Sequence, residues 1–102
     1  MNTIWTYSNV VLGLIYDEWR QGSGRGLSAW EISRKLRSIG LEGSLDHINR
    51  ALREHVHSRQ LMIFENTIVP FRFVLTEEGV VVAQKVQREL ELFKQKHLVT
   101  HT

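Results

Sequence analysis

A mainly α fold with a small β-hairpin (α+β) is predicted by three features of the 102-residue sequence. Apolar residues recur at helical spacing three times before residue 60, and two short β-rich runs then flank the only proline. An unbroken helical pattern fills the remainder. The expected order is helix, helix, helix, strand, strand, long helix. Length and ordinary composition fit one domain spanning 1–102.

Ser8 or Asn9 can cap the first helix, whose apolar positions are Val11, Leu12, Leu14, Ile15 and Trp19, and which should end near Arg20. Gly22 to Gly26 form a glycine-rich connection. Ser28-Ala29-Trp30-Glu31 has the form of a capping box, in which Ser28 and Glu31 each satisfy the other's backbone N–H. Ala29, Ile32 and Leu36 mark the buried stripe of the helix that follows. Gly40 and Gly43 bracket a turn, and Ser44 is placed to cap a third helix buried through Leu45, Ile48, Leu52 and Val56 and ending near Arg59. The runs Leu61–Phe64 and Phe71–Leu75 predict an antiparallel hairpin. Thr76 caps the final helix, with Glu77 and Glu78 at its positive end and its pattern continuing from Val80 to about Leu98.

Composition narrows the chemistry. There is no cysteine, which excludes disulfides and thiolate sites. No apolar run approaches the length of a membrane span, so an intracellular protein is expected, cytoplasmic or inside a host cell if viral. His55 and His57 are two apart on different helix faces, unlike a metal-binding pair. Gly22-x-Gly24-x-Gly26 lacks the strand and the Lys-Ser/Thr ending of a phosphate loop. Asp17 and Glu18 are adjacent and splayed, which suits paired-carboxylate catalysis poorly. No enzyme, metal or cofactor is implied. Trp5, Trp19 and Trp30 read as core or interface aromatics. The net charge of +2 conceals an uneven distribution: residues 20–59 carry +4 and the rest −2.

Two helices joined by a glycine-containing turn and followed by a hairpin describe a winged helix-turn-helix. The residues resemble that family. Leu27–Leu36 is similar to its second helix, Ser44–Leu52 to its recognition helix, and Phe73-Val74-Leu75-Thr76-Glu77-Glu78-Gly79 with Ala83 to the L-T-x-x-G junction of MarR- and PadR-like regulators. Two departures stand out. Gln60 follows the recognition helix where the family usually has glycine, and the wing Asn66–Phe71 is apolar, with Arg72 the only basic residue beside it.

The resemblance implies a transcriptional regulator bound to double-stranded DNA. Arg50 and Arg53 would read guanine edges or hold phosphate, with His47 near the helix start, Ser44 at its cap and Asn49 closer to the buried stripe. Arg34, Lys35 and Arg37 would hold phosphate, and Arg72 would touch the backbone beside the minor groove. Ala83, Val86, Leu90, Phe93 and His97 recur at spacings three, four, three and four, a stripe that suits a homodimer seam, beyond a core that uses Val80 to Val82. Folding of this helix onto the first, over Trp5 and Trp19, is the competing expectation. A protein-binding winged-helix module and a nucleic-acid binder without sequence readout are the other functional readings. The sequence specifies no effector, operator or direction of regulation.

Overall fold

The computed structural model describes residues 7–22, 24–64 and 71–100, with 89–100 by backbone alone. The elements are α1 (Tyr7–Arg20), β1 (Leu27–Ser28), α2 (Ala29–Ser38), α3 (Leu45–His57), β2 (Leu61–Ile63), β3 (Arg72–Leu75) and α4 (Glu77–Thr100). This is the predicted order with one strand added. β1 pairs antiparallel with β3 (Leu27 opposite Phe73, Ser28 opposite Arg72), and β3 pairs with β2 (Leu61 opposite Leu75), so β3 is central.

Helix α1 is the hub, touching α2, α3, α4 and β3. Its run Val10–Tyr16 is buried around most of the helix, leaving Leu14 half-buried, as expected of a helix enclosed by its neighbours. Val11, Leu12, Ile15, Ile32, Leu36, Ile48, Leu52 and Leu61 form the centre of the core. Each such side chain contributes about 1.5–3 kcal/mol by leaving water. Tyr7, the first described residue, is already helical, so Ser8 and Asn9 lie inside α1 rather than capping it. The Ser8 hydroxyl instead meets His55 Nε2 at 2.9 Å.

The turn after α3 resolves the missing glycine. Arg59, not Gln60, adopts the left-handed backbone, with φ 63°. Gln60 is occupied otherwise: its side-chain oxygen lies 2.6 Å from His55 Nδ1, and its carbonyl accepts the Thr76 N–H. The L-T-x-x-G junction has a matching physical basis. Thr76 Oγ1 accepts the Gly79 N–H at 3.0 Å and donates to the Arg59 carbonyl, which caps α4 and ties it to that turn. A Cβ at Gly79 would collide with the Gln60 carbonyl.

Several packing expectations need correction. Ala83 packs into the chain's own core, where the first half of α4 lies on α1, and Val86 is also buried within the chain. Leu90, Phe93 and His97 have side chains outside the described residues. Val81 is 67% exposed rather than core. Trp19 and Trp30 are exposed, so neither is a core aromatic, and α4 does not cover Trp19. Trp5 and wing residues 66–70 fall outside the described residues.

The sheet is joined to the helices at the start of α2, where the predicted capping box forms. The Ser28 N–H donates to Glu31 Oε1 at 2.9 Å, and the Glu31 N–H donates to Ser28 Oγ at 3.3 Å. Arg72 Nη2 lies 3.0 Å from Glu31 Oε1 and also donates to the Gly26 carbonyl, while Nε donates to the Arg25 carbonyl. Gly26 has φ 70°, and a Cβ there would collide with the Phe73 carbonyl. Gly26→Ala combines strained backbone with this collision and is expected to cost about 3 kcal/mol, measured as a lower denaturant midpoint at unchanged slope.

Burial alone would raise the Glu31 pKa, but the Ser28 backbone N–H and side chain, together with Arg72, outweigh it and hold it below the ordinary value of 4.5. A depressed folded-state pKa makes the stabilisation complete above the unfolded value and removes it as pH falls through the folded one. Glu31→Gln should therefore melt at a lower temperature than the parent at pH 7. The two melting curves should converge as pH drops below about 4.5.

Candidate nucleic-acid interface

Helix α3 divides its residues sharply. Ile48, Ala51, Leu52 and His55 are buried against the rest of the chain, while Asp46, Arg50, Arg53 and His57 occupy the opposite side and are exposed. His55 belongs to the inner face because its polar atoms are met there: Nε2 lies 2.8 Å from the Ser8 carbonyl, in addition to the Ser8 hydroxyl and Gln60 contacts. Buried polar atoms require such partners. The sequence separates His55 from His57 correctly, but assigns His55 no part in joining α1 to α3.

Arg50 and Arg53 form no ion pair or hydrogen bond with any described residue. Their guanidiniums are thus uncommitted on an exposed helix face, an arrangement able to engage phosphate oxygens or guanine edges. Two hollows flank this face. On the α1 side, Tyr7, His47, Arg50 and Glu54 line a hollow of about 440 Å³. On the sheet side, Asn49, Arg53, His57, Ile63, Phe71 and Phe73 line one of about 650 Å³ together with Val56. Asn49, expected closer to the buried stripe, is exposed beside Arg53.

Tyr7 is a contributor that sequence reasoning missed. Its ring meets His47 edge-on, with centroids 5.8 Å apart, and its hydroxyl donates to the Glu42 carbonyl at 2.9 Å. Burial, and then the Glu42 charge, raise its pKa above the ordinary value, so the phenol stays protonated as that donor. Tyr7 thereby fixes the entry to α3 and one side of His47. Only its place one residue before Ser8 could have hinted at this, and a tyrosine there carries no such signal by itself.

The three residues of the expected phosphate cluster have different surroundings. Arg34 and Arg37 are exposed, and Arg37 Nε lies near Gly43 in the turn leading to α3. Lys35 turns toward α1 and pairs with Glu18 at 3.5 Å. Ser44 is the N-cap residue of α3, but its side chain makes no capping bond. Arg72 is committed to Glu31 and the carbonyls of Arg25 and Gly26, so the structure gives it a task inside the fold that the sequence reading did not foresee. Among the described residues, no group of three His, Asp or Glu side chains is placed to hold a metal ion, and no helix is long and apolar enough to cross a membrane.

Comparison with known proteins yields likeness in structure but not in sequence. No family model matches the chain, and no curated protein matches its sequence. AF1382 from Archaeoglobus fulgidus superposes with a TM-score of 0.68 at 15% identity, covering 84% of this chain and 86% of that one. SSV1 F-93 superposes at 0.66 and 16% identity, covering 93% and 98%. MepR, a transcription regulator of the Staphylococcus aureus multidrug efflux pump MepA, gives 0.61 and 16%, covering 93% of this chain and 63% of MepR. With three helices, a three-stranded sheet in the order β1-β3-β2, and α4 following the hairpin, the chain has the winged helix-turn-helix fold.

Proposed function

We propose that this chain binds double-stranded DNA in a sequence-specific manner and regulates transcription as a homodimer. The observation that carries the reading is the pair Arg50 and Arg53, exposed and uncommitted on the outer face of α3. His47 and Asn49 flank them. Placed in a major groove, α3 would present these side chains to base edges. Arg34 and Arg37, beside the turn, would contact phosphate, with Lys35 joining them if it leaves Glu18, and Ser44 available at the helix start. Arg72, which ties β3 to Glu31 and to the Arg25 and Gly26 carbonyls, would touch the DNA backbone beside the minor groove on leaving Glu31. The likeness to MepR, whose name describes a transcription regulator, supports this choice of partner. Such a protein would act in the cytoplasm, or in a host-cell interior.

The experiment is a duplex-DNA titration over a range of salt concentrations. Affinity should fall steeply with salt, because each phosphate contact releases counterions. Arg50→Ala combined with Arg53→Ala should weaken binding about 30-fold or more. Equal affinity and equal salt slope in parent and double variant would contradict this assignment. Exposed Met62, Ile63 and Phe71 favour a second reading, a protein-binding module, which absence of any binding at low salt would support.

The homodimer rests on α4, whose backbone continues through Thr100 beyond the Val86–Gln87 contacts with the core. Leu90, Phe93 and His97 keep the three- and four-residue spacing of a helix seam over that stretch, within the expected dimerisation segment 80–98. Phe93→Glu should convert a sedimenting dimer to monomer while circular dichroism stays unchanged. A parent that sediments as monomer at high micromolar concentration would refute the dimer.

A further inference from the structure

Four side chains of α3, those of His47, Asn49, Arg50 and Arg53, are exposed on its outer part. Among the described residues, His47 alone of the four is engaged by another side chain. Its ring meets Tyr7 edge-on, with centroids 5.8 Å apart, whereas the other three make no hydrogen bond, ion pair or ring contact there. Tyr7 is itself fixed at two points. Its backbone belongs to α1, and its hydroxyl donates to the Glu42 carbonyl at 2.9 Å, two residues before the Ser44 cap of α3. The ring nitrogens of His47, by contrast, have no hydrogen-bond partner among the described residues. The imidazole is thus held in orientation while its polar atoms stay uncommitted.

A side chain oriented before binding loses less rotamer freedom on contact than one that must first be ordered. Arg50 and Arg53, on long stems, can turn between phosphate and base, whereas an imidazole held by a neighbouring ring meets one base position. His47 also lies in the first turn of α3, the part of a recognition helix that reaches base edges. In the major groove guanine sets two acceptors, N7 and O6, side by side. Adenine has a donor beside its acceptor, thymine a methyl group beside its acceptor, and cytosine a donor alone. Given DNA binding through α3, we propose that His47 selects guanine at one base-pair position and that Tyr7 is the positioning residue for that selection. The imidazole N–H donates to guanine N7 or O6. Tyr7 acts through His47, by fixing the ring relative to the start of α3.

The test is selection of binding sites by the full chain from a randomised duplex pool, with affinities of the selected sites titrated at one salt concentration. The parent should select guanine at a position where His47→Ala shows at least about 5-fold less preference. Tyr7→Leu should relax the same position about 3-fold or more, with other positions and circular dichroism unchanged. Tyr7→Phe, which keeps the ring, should hold the preference within about 2-fold. A Tyr7→Leu variant that keeps the parent's guanine preference, or that loses affinity evenly at every position, would overturn the positioning role. Duplex binding by the parent with no selected guanine, or with one that His47→Ala leaves intact, would overturn the inference while DNA binding by α3 stands. A parent that binds no duplex at low salt would remove both.

Discussion

Glu31 is held by two neighbours from different parts of the fold. Ser28 binds it from one turn away and closes the start of α2, while Arg72 binds it from β3, 41 residues along the chain. The same guanidinium reaches the carbonyls of Arg25 and Gly26 and so fixes the backbone entering β1. Gly26 permits that approach, because a side chain would strike the Phe73 carbonyl. These contacts join the hairpin to the helix-turn-helix at a point where β1 contributes only two residues. The position of the sheet beside α3 depends on this junction as well as on hydrophobic burial.

A second polar tie sets the other side of α3. His55 spans Ser8 on α1 and Gln60 in the turn, and Gln60 in turn accepts from Thr76 at the start of α4. Around it, Ile48, Leu52 and Ala51 fill the apolar contact. With the inner face occupied by core packing and His55, the arginines of α3 are left on the solvent side. Tyr7 completes the arrangement by bracing His47 and the Glu42 carbonyl. The exposed surface of α3 is thus a consequence of how completely its opposite face is satisfied.

Features governed by neighbouring residues were legible in the sequence. Ser28 and Glu31 are three apart, and Thr76 and Gly79 are three apart, so both caps follow from local spacing. Ile32 and Leu36 in α2 and Ile48 and Leu52 in α3 follow from helical period in the same way, whereas the burial of Ala51 and His55, with Leu45 and Val56 only half-buried, does not. Features that depend on distant partners were not legible. Arg72 looked like a free cation beside a wing because its acceptor lies on α2, and β1 was hidden because two residues have no periodicity. Ala83 and Val86 have the spacing of a dimer seam, yet that same spacing serves packing onto α1. The left-handed residue after α3 is Arg59, while Gln60 meets His55 and accepts from Thr76, contacts that local spacing does not reveal. At the candidate interface, Arg50 and Arg53 were legible from helical geometry, whereas Tyr7 became visible only through tertiary contact.

In the proposed function, the outer face of α3 is the surface that would meet duplex DNA. Amide chemical-shift mapping of the isotope-labelled chain, titrated with a short duplex, tests it most directly. Shifts should concentrate from Asp46 to His57 and at Arg34 and Arg37, and should diminish as salt is raised. Shifts confined to α4 or to Met62, Ile63 and Phe71, with the α3 amides unmoved, would contradict it.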